Sequence, residues 1–130
     1  MREASTASGP GRALVAVYAT FAFAASARSL YQLTTKADQA PIAYGLSALA
    51  AAVYVVATAA LATGRRRLAA AAVGFELVGV VVVGALSILD AGWFPDATVW
   101  SGFGAGYGYV PLVLPFIGLW WLRRSAPTRG

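Results

Sequence analysis

The chain has 130 residues, of which 59% are hydrophobic and 12% charged, and it contains no cysteine and no histidine. A soluble domain carries about 25% charged residues, so this balance points to a membrane protein. The missing residue types exclude disulfides, thiol nucleophiles, thiolate zinc sites and imidazole bases. The net charge of +5 sits at the ends of apolar runs rather than across a polar face that would bind nucleic acid.

Residues 1–12 read as a flexible cytoplasmic N-terminus, followed by a membrane domain over 13–124 and a cytoplasmic tail at 125–130. A spanning helix needs about 20 predominantly apolar residues. The first such run is Ala13 to Leu33. Arg2, Arg12 and the small-residue triplets ending at Ala24 or Ala27 also resemble a cleavable signal peptide. The apolar run outlasts an ordinary signal core, which favours an uncleaved span.

The polar link "TTKADQAP" places Pro41 at the first turn of the second span, Ile42 to Thr63, where a missing N–H is harmless. "GRRR", Gly64 to Arg67, joins it tightly to the third span, Leu68 to Leu89, with the glycine available as a helix C-cap. "DAGWFPDATVWSG" is the longest connection. Its "FPDATVW" portion is predicted to open a short amphipathic turn on the outer surface. The carboxylates Asp90 and Asp96 beside it read as solvated charge rather than a metal site.

The fourth span is predicted over Phe103 to Leu122. Gly102, Gly104, Gly106 and Gly108 alternate ahead of Pro111 and Pro115, so its outer half should be irregular or kinked. "GYGY" is similar over four residues to potassium-channel filter loops, but the pore helix that accompanies such loops is not evident. No strand–glycine loop–helix unit marks a Rossmann or P-loop site.

The fold expected is therefore all-α, a four-helix transmembrane bundle. With four spans, Arg2, Arg12, Arg65, Arg66, Arg67, Arg123, Arg124 and Arg129 share one side, together with both termini, while the opposite loops hold only Lys36. The positive-inside rule makes the arginine side cytoplasmic, giving a multi-pass cell-membrane protein with both termini inside. Trp120 and Trp121 are expected as interfacial anchors there, and Trp93, Phe94 and Trp100 as the opposite aromatic belt.

Polar residues recur at steps of three and four on three spans, which stacks them on single helical stripes. Span one carries Tyr18, Phe21, Ala25, Arg28 and Gln32. Span two carries Tyr44, Ser47, Ala51, Tyr54 and Thr58, and span three Glu76, Gly79, Val83 and Ser87. Lipid offers polar groups no partners, so these stripes should face inward. The hydroxyls read first as interhelical glue.

Glu76, inside the apolar run "GFELVGVVVVGAL", and Arg28 ask for more, because a charge near mid-bilayer costs roughly 2.5–3.5 kcal/mol. At about 1.5 Å of rise per residue, Glu76 stands roughly 12 Å into span three, nearly level with Tyr54. Arg28 stands roughly 22 Å into span one and either points back toward the glutamate or snorkels outward to Asp90 or Asp96. Two states follow. In one, Glu76 is ionised and paired with Arg28, locking two helices. In the other it meets Tyr54 and apolar neighbours and carries a proton. Glu76, Arg28, Tyr54, Tyr44 and Ser47 are thus the intramembrane polar candidates, with no catalytic set, cofactor site or metal site expected.

"FELVGVVVVGALS" and "FPDATVWSGFGAGYGYVPLVLP" resemble stretches of small four-span integral membrane proteins of high-GC Gram-positive bacteria, over roughly residues 13 to 124. That resemblance implies the four-span architecture and carries no activity or site residues. The small multidrug-resistance exporters are similar in architecture only, since their membrane glutamate lies in the first span.

The function expected is a non-enzymatic subunit, scaffold or assembly partner of a membrane complex. The alternative is a small proton-coupled transporter using Glu76 in a central polar pocket. Membrane lipids and a membrane-protein partner or second copy are the expected partners, with no nucleic acid.

Overall fold

The computed structural model describes residues 9–35, 41–89 and 100–125, which form helices joined by short turns. The elements in chain order are α1 (Pro10–Thr35), α2 (Pro41–Thr63), α3 (Arg66–Leu89), a 3-10 segment (Ser101–Tyr107) and α4 (Val110–Arg124). Asp90, Asp96, Trp93, Phe94, Lys36, Arg2 and the amphipathic turn expected around Pro95 lie outside the described residues.

The first three helices are long and apolar enough to cross a membrane. Proline opens α1 and α2, as its fixed φ and missing N–H favour at a first helical turn. The turn between α2 and α3 is set by Gly64. At φ +74° it adopts the left-handed conformation that ends helices, and the next amide, Arg65 N–H, donates back to Ala60 O at 2.9 Å. This six-to-one bond satisfies an orphan carbonyl and lets α3 start two residues later.

The stretch expected as a fourth span, Phe103 to Leu122, is irregular in its outer half, as its glycines and prolines predict. Gly102, Phe103 and Gly104 take positive φ values of 59°, 62° and 85° inside the 3-10 segment, and Gly108 and Tyr109 follow at 64° and 62°. The 3-10 segment and α4 meet at 95°, so together they count as one bent span or α4 stands alone. At about 1.5 Å per residue, the 15 residues of α4 cover roughly 22 Å, less than a hydrocarbon core of about 30 Å.

Packing follows chain order. α1 lies along α2, α2 along α3, and α3 carries both the 3-10 segment and α4. Glycines of α3 receive the 3-10 segment. A methyl built on Gly79 would stand 2.5 Å from Trp100 Cζ3, and one on Gly84 would collide with the Phe103 ring. Ser87 Oγ accepts the Gly102 amide at 2.8 Å while donating to Gly84 O at 2.8 Å. At the other end of α3, the Arg66 guanidinium donates to Leu122 O and, at 3.2 Å, to Ser125 Oγ. It thereby occupies the carbonyl end of α4, where a cation is favoured.

Candidate functional site

The inward stripes converge one level into the helices. Tyr18 of α1, Tyr54 of α2 and Glu76 of α3 are all 0% exposed. The Tyr18 hydroxyl donates to Glu76 Oε1 at 2.6 Å, a charge-assisted distance if the carboxylate is ionised. Tyr54 interacts electrostatically with the same carboxylate and in turn accepts a hydrogen bond from Trp100 Nε1 at 3.0 Å. A single polar node therefore joins α1, α2 and α3 and reaches the residue that leads into the 3-10 segment.

Aromatic rings wall the node. The Tyr18 and Tyr54 ring centroids are 6.1 Å apart, and Phe21 stacks on Tyr54 at 5.7 Å. Phe21 also meets Tyr107 edge-on at 5.6 Å, and Trp100 lies 6.3 Å from Tyr54. From the α4 side Gly118 closes the site. A methyl there would stand 3.2 Å from the Tyr18 hydroxyl and 3.1 Å from Val73. The bare position lets the helix approach closely, since an added methyl would require Val73 or Tyr18 to give way.

The sequence-level pairing of Glu76 with Arg28 is not formed. Arg28 Nη1 donates instead to the Tyr107 hydroxyl at 3.5 Å, a long contact on the outer side of Phe21. The 3-10 segment places Tyr107 there. Glu76 Oε2 has no hydrogen-bond partner among the described residues. Glu76 is also the one acidic side chain among those residues.

Tyr44 and Ser47, the other stripe residues of α2, are buried nearer the start of that helix, and Ser47 Oγ lacks a hydrogen-bond partner among the described residues. They lie two or more turns from Tyr54 and are not part of the glutamate node.

Two residues of the site escaped sequence reasoning. The stripe pattern turns Tyr18 inward without pairing it to Glu76. The pattern places Trp100 in an aromatic interface belt, whereas its side chain is 1% exposed. Its signal is the pair of glycines it and Phe103 press against, Gly79 and Gly84 on α3, five residues apart. The anchors at the other end divide: Trp121 is buried, whereas Trp120 is exposed under Arg124, whose guanidinium carbon is 5.7 Å from the ring centroid.

Among the described residues no group of three or more metal-ligating side chains gathers anywhere. No family model, curated protein or solved structure matches the chain. What the described residues define is an all-helical fold with three helices, or four counting the bent pair as one, long and apolar enough to cross a membrane.

Proposed function

We propose that this is a small multi-pass membrane protein that works by binding, as a non-enzymatic subunit, scaffold or assembly partner of a membrane complex. In this reading the 3-10 segment and α4 together make a fourth span, and both termini lie on the arginine-rich cytoplasmic side. The observation that carries it is the Tyr18–Glu76 hydrogen bond. The one described carboxylate is used to tie helices together, inside a wall of aromatic rings. The chain's outward faces are left to large apolar side chains such as Phe23, Val78, Phe116 and Ile117, which suit lipid or another membrane helix. Crosslinking followed by purification from native membranes should recover a stoichiometric protein partner. A clean monomer or homodimer across several detergents contradicts the proposal.

A second reading is favoured by Glu76 Oε2, which has no hydrogen-bond partner among the described residues. A carboxyl oxygen left open in an aromatic site is a place to take and release a proton, as a proton-coupled transporter requires. Glu76→Gln would then abolish transport while leaving the fold intact. If Glu76→Gln instead prevents accumulation of the protein, the structural role stands.

A further inference from the structure

Beside the Gly64 turn, an apolar groove of roughly 290 Å³ runs between α2 and α3 on the outer surface. Leu49, Val53 and Val56 form its α2 wall, and Leu68, Ala71 and Phe75 its α3 wall. By helical rise it extends from roughly 3 to 21 Å above the turn, about the depth of one leaflet of a 30 Å hydrocarbon core.

The groove's lower end is charged. Arg67 stands four residues before Ala71 and eight before Phe75, so it continues the same helical stripe below the α3 wall. Arg67 is exposed and directly precedes Leu68, the lowest residue of the α3 wall. Arg65 is exposed at the same turn, and no acidic side chain lies in the first turn of α3. Arg66 is committed to Leu122 and Ser125. Two exposed cations thus flank the turn below the groove, the end at which the headgroup of a lipid would lie if its acyl chain filled it.

We infer that the α2–α3 groove is a binding site for an anionic phospholipid, with one acyl chain along Leu49–Phe75 and the phosphate between Arg65 and Arg67. Charge complementarity decides for an anionic lipid over a zwitterionic one, because arginine clusters beside a membrane attract acidic headgroups. The inference rests on the reading that α2 and α3 span a bilayer.

The test uses the full chain, purified in a mild detergent and exchanged against phosphatidylglycerol or phosphatidylcholine of identical acyl chains. Bound lipid is counted by native mass spectrometry. One retained phosphatidylglycerol per chain is expected, in preference to phosphatidylcholine. Arg65→Gln and Arg67→Gln should each lower that preference about 5-fold, at about 1 kcal/mol per arginine. Ala71→Trp, at an exposed position, should displace both lipids by filling the groove.

Equal retention of the two lipids by the wild-type chain overturns the site, as does a preference that survives both arginine substitutions. A dimer that Ala71→Trp dissociates also overturns it, the groove then being covered by a second copy. Carbonate extraction of membranes beforehand separates the two levels. A chain that washes free contradicts the spanning reading itself. One that stays embedded yet shows no lipid preference overturns the lipid site alone.

Discussion

The Tyr18 hydroxyl and the Glu76 carboxylate, 58 positions apart in sequence, meet at 2.6 Å with neither side chain exposed. This contact turns the most costly residue of α3 into a fastening between α1 and α3. Interhelical hydrogen bonds in membranes are usually weak, about 0.6 kcal/mol on average. One to a buried carboxylate belongs at the strong end, because its loss leaves the acceptor with nothing in its place. Tyr18→Phe should accordingly lower stability by about 1–3 kcal/mol, read from unfolding in mixed micelles.

Trp100 holds the second bond of the node. Trp100→Phe keeps an aromatic ring against Gly79 but removes the indole donor to the Tyr54 hydroxyl. A loss of about 1 kcal/mol is expected in the same unfolding measurement. Tyr54→Phe combined with Trp100→Phe should cost less than the sum of the two, since both delete one bond.

The seat of the 3-10 segment is tested by adding single methyl groups. At Gly79 the new carbon would face the Trp100 ring at 2.5 Å, and at Gly84 it would face Phe103. Gly79→Ala and Gly84→Ala should each destabilise by about 1–3 kcal/mol through overpacking. Gly74→Ala is the control. It lies on the same helix with open space around it and should be neutral or slightly stabilising in a thermal melt.

Arg66 secures α4 at the opposite end of α3. Arg66→Ala should free the carbonyl end of α4 and speed hydrogen exchange at the Ser125 amide, which donates to Trp121 O at 2.8 Å. Exchange at the Arg65 amide, held by the Gly64 turn, should not change.

Much of this was legible from residue patterns. Apolar run length marked α2 and α3 within two residues, and the glycine before the arginines marked their turn. The three- and four-step stripes identified the faces that the structure buries. The partner of Glu76 was harder, because its level depends on where α1 begins. Starting at Pro10 rather than Ala13 adds most of a turn and lifts Tyr18 to roughly 12 Å, close to the glutamate.

The region around Phe103 was illegible for a different reason. Alternating glycines signal an irregular helix, but the positive φ values at Phe103, whose ring packs against Gly84 of α3, and at the exposed Tyr109 leave no mark in local periodicity. Tyr107 then accepts a hydrogen bond from Arg28, a contact that the sequence pattern does not mark.

The most direct measurement is a double-mutant cycle of Tyr18→Phe and Glu76→Met, with unfolding free energies read in one detergent system. If Glu76 serves as the tie between α1 and α3, Tyr18→Phe is costly in the wild-type chain and nearly neutral in the Glu76→Met background. The coupling should then fall within about 0.5–3 kcal/mol. Additivity to within about 0.3 kcal/mol would contradict it. The hydroxyl and the carboxylate would then be neighbours without a shared role, and Glu76 would need another reason to lie among apolar side chains.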